Sequence, residues 1–567
     1  MDMHVRGKLV TVLPRLWGVG AMLCTAGMLA ATAPRAEGTP ALIAPPVSGG
    51  LAAAMVSAQT QAMETAFRRA LAEAAAPDRA LSAYYRATGY APLWTGEGGA
   101  DLARRAALLR ALGAADVHGL PARRYDAPGL MARLGDIRSV RALAEAEVEM
   151  SRAYLAYARD LQSGILIPSR VDGDIKREVV RREVADLLDE MRAGEPRQIL
   201  RALAPQSNEY RRLQKEKLRL EGLVAAGGWG PVAPAQSLRP GASGPAVIAL
   251  RNRLIAMGYL TRSAAASYDD KIQAAVQAFQ GDHGLETDGI AGPATMAALN
   301  TAPEDRLRSV IVAMERERWL PTKRGARHIL VNLADFSARI IDDDRITFET
   351  RAVIGKNTGD RRSPEFSDAM EYLVINPTWH VPRSIVARDY LPRLQADRSA
   401  ASYLRIYDRQ GREVPREAVN FTAYNGRNFP FSVKQPPSNS NALGLVKFMF
   451  PNKWNIYLHD TPQKHLFQQQ KRDFSSGCIR LQEPFDFAYE LLSRQEADPK
   501  GFFQSVLATG RETYVNLKEH VPVHLIYRTA VTRAGGKMQY RGDVYVRDAR
   551  IWEALERAGV TLVGPNS

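Results

Sequence analysis

Cysteine is almost missing from this chain: only Cys24 and Cys478 occur in 567 residues. Exported proteins ordinarily use cysteine in pairs, so a thiol left over is read as a reactive group. Outside the N-terminus no long stretch is free of charge, which leaves no second membrane span to explain. No His, Cys, Asp and Glu grouping has metal-ligand spacing, and no glycine loop has the form that cradles phosphate. No nucleic-acid motif is present. Neither metal nor cofactor is expected, and nucleic acid is not an expected partner.

What is present at the N-terminus reads as an export signal. Arg6, Lys8 and Arg15 precede 18 uncharged residues, 16–33, which end in the A-x-A form Ala31-Thr32-Ala33. A signal peptide over residues 1–36 is therefore expected, with an exported, periplasmic product. Left uncleaved, the same segment would anchor the chain, the one membrane contact anticipated. Cys24 lies inside the signal, and Leu23 before it is too large for lipid attachment, so the mature chain would carry Cys478 as its single thiol. The net charge of +15 would draw the protein to anionic surfaces such as wall polymers.

The length calls for about three domains. Residues 37–65, rich in Ala, Pro, Gly and Ser, read as a linker, and residues 66–228 as an α-helical scaffold with apolar positions three and four apart. Within it, Tyr84, Tyr85 and the run from Tyr90 to Trp94 read as packing groups. Residues 238–301 form a compact block. Val247, Leu250 and Leu254 mark one helix, Ile272, Val276 and Phe279 a second, and Pro293 opens a third. Residues 302–325 read as a connecting amphipathic helix ending at Pro321.

The period then changes. Runs at 328–333, 337–341, 351–355 and 372–376 alternate as strands, as do 521–527 and 543–547. The expected architecture is multidomain α+β. It has a helical scaffold, a three-helix module, a β-rich domain over 326–500 with a lid-like insert at about 385–437, and a β-containing extension over 501–567.

Chemistry concentrates in residues 456–481, IYLHDTPQKHLFQQQKRDFSSGCIRL. A strand from Trp454 to Leu458 delivers His459. Asp460-Thr461-Pro462 turns the chain, and Ser475-Ser476-Gly477-Cys478 makes a tight turn of small residues. An acyl-transfer thiol needs a base beside it and donors for the developing oxyanion. An imidazolium next to Cys478 would lower the thiol's pKa. Gly477 permits a turn in which its own N–H and that of Cys478 converge on one oxygen. Tyr457 stands two residues before His459 on the same strand, so both side chains face one way, and Tyr457 reads either as an oxyanion donor or as a buried aromatic. His380 reads as structural or as a lining group of a groove, and His465 as exposed.

This segment resembles the signature of the L,D-transpeptidases, the cysteine enzymes that cross-link peptidoglycan, and most closely their large periplasmic multidomain branch. Residues 351–383, residues 439–450 (NSNALGLVKFMF) and the three-helix block, which is similar to a small peptidoglycan-binding module, extend the resemblance over most of the mature chain. The resemblance implies Cys478 as nucleophile and His459 as general base. It implies Asp460 as the carbonyl that orients the imidazole, and Ser475, Ser476 and Gly477 as the oxyanion turn. Arg480 becomes a substrate contact. Two departures from many members, Asp460 in place of Gly and Ser476 in place of a second His, remove any second-histidine role.

The implied reaction is 3→3 cross-linking of stem peptides through a thioester, with release of terminal D-Ala and sensitivity to carbapenems. Peptidoglycan stems and glycan are the expected partners of a monomer. Two rivals stand beside it: an L,D-carboxypeptidase or related hydrolase on the same scaffold, and a wall-binding scaffold without catalysis.

Overall fold

A computed structural model describes residues 49–234, 237–321, 323–533 and 535–562. The expected signal peptide lies outside the described residues. The chain divides into two units, Met1–Ala62 and Met63–Ser567. The described part of the first is the beginning of the helix Gly49–Ala75. Among the described residues no helix is long and apolar enough to cross a membrane.

The second unit opens with helices. Asp78 accepts the amides of Ala80 and Leu81 to start Arg79–Ala87, and Ser139 caps Val140–Ser163 in the same way. Tyr85, Trp94 and Tyr154 are fully buried. Around them, buried Glu147 accepts the Tyr85 hydroxyl at 2.8 Å and the amides of Leu93 and Thr95 at 2.7 and 2.8 Å. These aromatics are packing, held by one carboxylate whose oxygens are saturated.

Three helices follow, Pro245–Ala256, Asp270–Asp282 and Pro293–Leu299, closing over Val247, Leu250, Leu254, Ile272, Val276 and Phe279. The helix Pro303–Arg318 reads as amphipathic but is enclosed on every side from Val310 onward. It packs in one cluster with Tyr210 and Leu213 of the helix Asn208–Ala225 and with Ile551 and Leu555 of the helix Arg547–Arg557. Its charges are paired internally rather than solvated. Arg316 reaches Glu365 at 2.7 Å and Asp548 at 2.8 Å, while Glu317 holds Arg324 and Arg528.

The β-rich part contains β1 (Arg327–Asn332), β2 (Ser337–Asp342), β3 (Arg345–Gly355) and β4 (Phe366–Ile375). It continues with the insert strands β5 (Trp379–His380), β6 (Arg405–Tyr407), β7 (Glu413–Val414) and β8 (Ser432–Gln435). The last strands needed here are β9 (Val446–Met449), β10 (Leu458–His459), β11 (Asp473–Ser475), β12 (Ile479–Leu481) and β13 (Thr513–Ile526). The main sheet runs β11-β3-β12-β10-β9-β4-β13-β1-β2, and β2 also pairs with β3. Eight strands therefore close on themselves, with β11 attached to β3. Alternate residues, including Ile329, Leu373, Phe448, Leu458 and Ile479, point into one apolar core.

Three boundaries differ from the sequence reading. Strand β13 lies beyond residue 500 and pairs with β4 and β1 in the middle of the sheet, so the fold does not end there. Residues 543–547 are no strand. Val546 takes φ +58, and Asp543 accepts the Arg547 and Ala549 amides to start the last helix. Trp454 to Ile456 form a turn rather than a strand, because the Asn452 side chain accepts the amides of Trp454 and Ile456 and Asn455 takes φ +55. The insert is a small folded body. Its sheet runs β5-β8-β6-β7, and its own core contains Val386, Leu391, Ile406, Phe421 and Val433.

Candidate active site

The register of three short strands assembles the site. β10 and β12 are parallel, with Leu458 opposite Ile479 and His459 opposite Arg480. Leu458 and Ile479 are fully buried in the barrel core. Their sequence neighbours must therefore face the other way, which sets Tyr457, His459, Cys478 and Arg480 on one common face. On that face the insert's core meets the sheet. Trp379 and Leu443 belong to it, and Tyr457 packs against it.

His459 is buried, and its Nδ1 lies 2.5 Å from the carbonyl oxygen of Asp460. This contact makes Nδ1 a donor, and the backbone of Leu443 is a second hydrogen-bond partner of the ring. The Asp460 carboxylate serves the backbone. It accepts the Leu445 amide at 2.9 Å, the Thr461 amide at 2.6 Å and Lys464 Nζ at 2.6 Å. It thereby straps residues 444–446 to the strand that carries the imidazole. Gly444 is needed at this crossing, because it takes φ +62 and a Cβ there would run into the carboxylate.

Cys478 keeps part of its surface accessible. Its sulfur lies 3.5 Å from the Asn455 carbonyl, and both the Tyr457 amide and the Tyr457 hydroxyl are hydrogen-bond partners of the sulfur. The Trp379 side chain reaches the same hydroxyl. The Tyr457 and His459 rings lie 5.6 Å apart. Burial and then the neighbouring Cys478 raise the tyrosine's pKa well above its ordinary value, so it is a donor.

The turn before Cys478 is braced from within. Ser475 Oγ donates to the Cys478 carbonyl at 2.6 Å and accepts the Gly477 amide at 3.1 Å. Gly477 takes φ +123, a conformation that favours glycine. Its amide is thus committed to Ser475, which departs from the sequence expectation that it converges with the Cys478 amide on one oxygen. The donors that remain for an oxyanion are the Cys478 amide and the Tyr457 hydroxyl. Ser476 is exposed, with its hydroxyl 3.5 Å from Arg388 Nη2 on a π-helical turn of the insert, Val386–Tyr390.

Electrostatics also depart from expectation. Crowding by protein atoms pushes the Cys478 thiol up to about 11, against the lowering by the Tyr457 donors and the Arg480 charge. Burial, followed by Arg480, lowers His459 to about 3. The resting pair is neutral thiol and neutral imidazole, because desolvation disfavours both charged forms. Arg480 donates to Gln463 Oε1 at 2.6 Å, and its Nε is buried without a partner.

His380 is exposed on β5, and His465 is exposed as well. Among the described residues no His, Cys, Asp and Glu cluster is arranged to hold a metal ion. A cavity of about 2010 Å³ lies elsewhere, between residues such as Lys176, Arg212, Arg345 and Trp454, and includes neither Cys478 nor His459. Sequence reasoning missed Trp379, and it missed Ser363, whose hydroxyl donates to the Gly477 carbonyl at 2.6 Å. The proline after Ser363 was the available signal of a fixed turn.

Residues 326–510 match the L,D-transpeptidase catalytic domain, residues 243–299 match the family described as "Putative peptidoglycan binding domain", and residues 79–216 match a scaffold domain. Residues 326–510 are an L,D-transpeptidase catalytic domain. A Haemophilus influenzae protein named "Putative L,D-transpeptidase" is 31% identical over 242 residues, 42% of this chain and 48% of the relative. The chain thus spans about half the length of that relative. Solved structures with similarity include an L,D-transpeptidase of Xylanimonas cellulosilytica (18% identity, 52% of this chain, all of that chain, TM-score 0.17). Another is an L,D-transpeptidase of Stackebrandtia nassauensis (14% identity, 52% of this chain, 97% of that chain, TM-score 0.20).

Proposed function

We propose that this chain is an exported L,D-transpeptidase that joins peptidoglycan stems by 3→3 cross-links through a thioester on Cys478. The observation that carries the reading is the common face shared by Tyr457, Cys478, His459 and Arg480, with the imidazole oriented by the Asp460 carbonyl. The peptidoglycan-binding module would hold the polymer near this face.

In the first step, His459 takes the Cys478 proton as the sulfur attacks the carbonyl between the third stem residue and terminal D-Ala. The oxyanion is met by the Cys478 amide and the Tyr457 hydroxyl, donors already fixed before substrate arrives. The carbon–nitrogen bond breaks, the imidazolium returns its proton to the departing D-Ala amine, and the stem remains as a thioester. In the second step, the side-chain amine of a third residue on a neighbouring stem attacks the thioester. It loses a proton to His459, and the sulfur leaves and regains that proton. A neutral resting pair suits this sequence, since each proton moves only with the bond it serves. Arg480 favours the sulfur anion whenever it forms.

Two measurements test the reading. Intact-mass analysis with a carbapenem should give a single adduct mapping to Cys478 and none in Cys478→Ala. Incubation with tetrapeptide muropeptides should give dimers. Shortened monomers alone would make the enzyme a hydrolase, and dimers made by Cys478→Ala would remove the nucleophile assignment.

A further inference from the structure

The imidazole is flanked by a cation on each neighbouring strand. Lys447 on β9 stands opposite His459, and Arg480 on β12 stands opposite it on the other side. Strands lie about 4.8 Å apart, so Lys447 begins one strand spacing from the base, on the side away from Cys478. Its neighbour Phe448 is buried in the barrel core, which turns Lys447 to the face of the site. The charge of Lys447 is felt at both His459 and His380, so it lies among them.

Lys447 is half-buried, and burial lowers its pKa. Among the described residues its ammonium makes no hydrogen bond and no ion pair. Glu512 is the opposite charge that it senses, but Glu512 Oε1 already accepts the Thr378 amide at 2.9 Å. Lys434, also near His380, adds positive charge to the same surroundings. A desolvated ammonium held this way does little for the fold and is well prepared to receive a carboxylate.

We propose that Lys447 binds the α-carboxylate beside the reacting amine, first of the departing residue and then of the acceptor. This rests on the transferase reading above. The order across the sheet is Cys478 on the β12 side, His459 in the middle and Lys447 beyond. The order along the substrate is the same: the acyl carbon at sulfur, the amine at the imidazole, and the carboxylate on the carbon next to that amine. The departing D-Ala has this arrangement of amine and carboxylate on one carbon, and the proposal takes an acceptor of the diaminopimelate type, whose side-chain amine shares a carbon with a carboxylate. One cation therefore serves both steps and favours an α-amino acid unit over water or a simple amine.

The experiment uses the full-length enzyme with two donor muropeptides, one ending in free D-Ala and one in D-alaninamide. The wild type should show kcat/KM at least about tenfold higher for the acid, the size of one charge-assisted contact. The ratio should fall close to one in Lys447→Met and return in Lys447→Arg. Taking the ratio within each variant removes any loss of folded protein. Equal rates for acid and amide in the wild type would overturn the inference and leave the transferase reading standing, and so would a tenfold ratio kept by Lys447→Met. Failure of the wild type to turn over either peptide would overturn both.

Discussion

The hydroxyl of Ser363 donates to the Gly477 carbonyl at 2.6 Å and accepts the Gly355 amide at 2.9 Å, so one buried side chain joins the turn before Cys478 to the end of β3. The C-terminal segment supports this joint. Arg547 donates to the Ser363 carbonyl at 2.9 Å, and Tyr545 bonds both the Ser363 amide and the Gly355 carbonyl. Residues beyond the matched catalytic domain thus brace Cys478 from below.

Ser363→Ala should leave a buried carbonyl and a buried amide without this partner. A stability loss of about 1–3 kcal/mol follows, measured by denaturant unfolding. Because the turn aims the sulfur, kcat should fall more than KM rises. A variant with wild-type kcat would show that the Gly477 turn holds itself.

Gly444→Ala tests the strap across the imidazole strand. The new Cβ meets the Asp460 carboxylate at a backbone angle that L-residues resist. The cost should exceed about 1 kcal/mol. With Asp460 displaced, its carbonyl no longer fixes Nδ1, and the proton of His459 should appear on both ring nitrogens by NMR. A wild-type imidazole spectrum in this variant would assign the orientation to other contacts.

The sequence was most informative where chemistry and backbone demands coincide. A lone thiol outside the N-terminal segment, the small residues at 475–477 and the polar turn after His459 are local features, and they mark the candidate site without any knowledge of packing. The alternation at 328–333 and 372–376 revealed β1 and β4, because one face of each is apolar core. The insert was legible as an interruption, but its internal sheet stayed hidden, since β5 and β7 span two residues each, too short for a period to register. The helix Pro303–Arg318 misled for a different reason. Its Arg and Glu residues look solvated in isolation, and only tertiary packing supplies Glu365, Asp548 and Arg528 as partners. The same limit applies to pKa values. Spacing puts a cysteine and a histidine in one motif, whereas burial decides that neither is charged.

Acid should destabilise the protein in a definite window. Burial lowers His459, His283 and His524 to about 3 and His118 to about 4. The unfolded chain takes up these protons near pH 6.5, while the folded chain does not until pH 3–4. The stability contributed by the neutral rings is therefore complete above about pH 6.5 and is lost as pH falls towards the folded values. Each ring contributes up to about 1.4 kcal/mol per pH unit in that window. Thermal unfolding should move to lower temperature between pH 7 and 5. His524→Gln should flatten the dependence, and a melting temperature independent of pH across this range would contradict it.

The charge state of Cys478 can be read directly from alkylation by iodoacetamide. A thiolate–imidazolium pair would react at a constant rate from about pH 5 to 8, since its sulfur would already be ionised. The neutral pair described here has a thiol near pH 11, so the rate should instead climb about tenfold per pH unit with no plateau below pH 10. Arg480 lowers the thiol's pKa through its charge, and removing that charge should raise it. Arg480→Gln should therefore react more slowly than the wild type at each pH below 10, by several-fold for a charge at this distance in a partly buried site. The same substitution relieves His459 of a repelling cation and should move its titration upward, visible by NMR. The two shifts have one cause and must appear together. A plateau near neutral pH in the wild type, or a faster Arg480→Gln, would mean that the imidazole and not the guanidinium governs the sulfur.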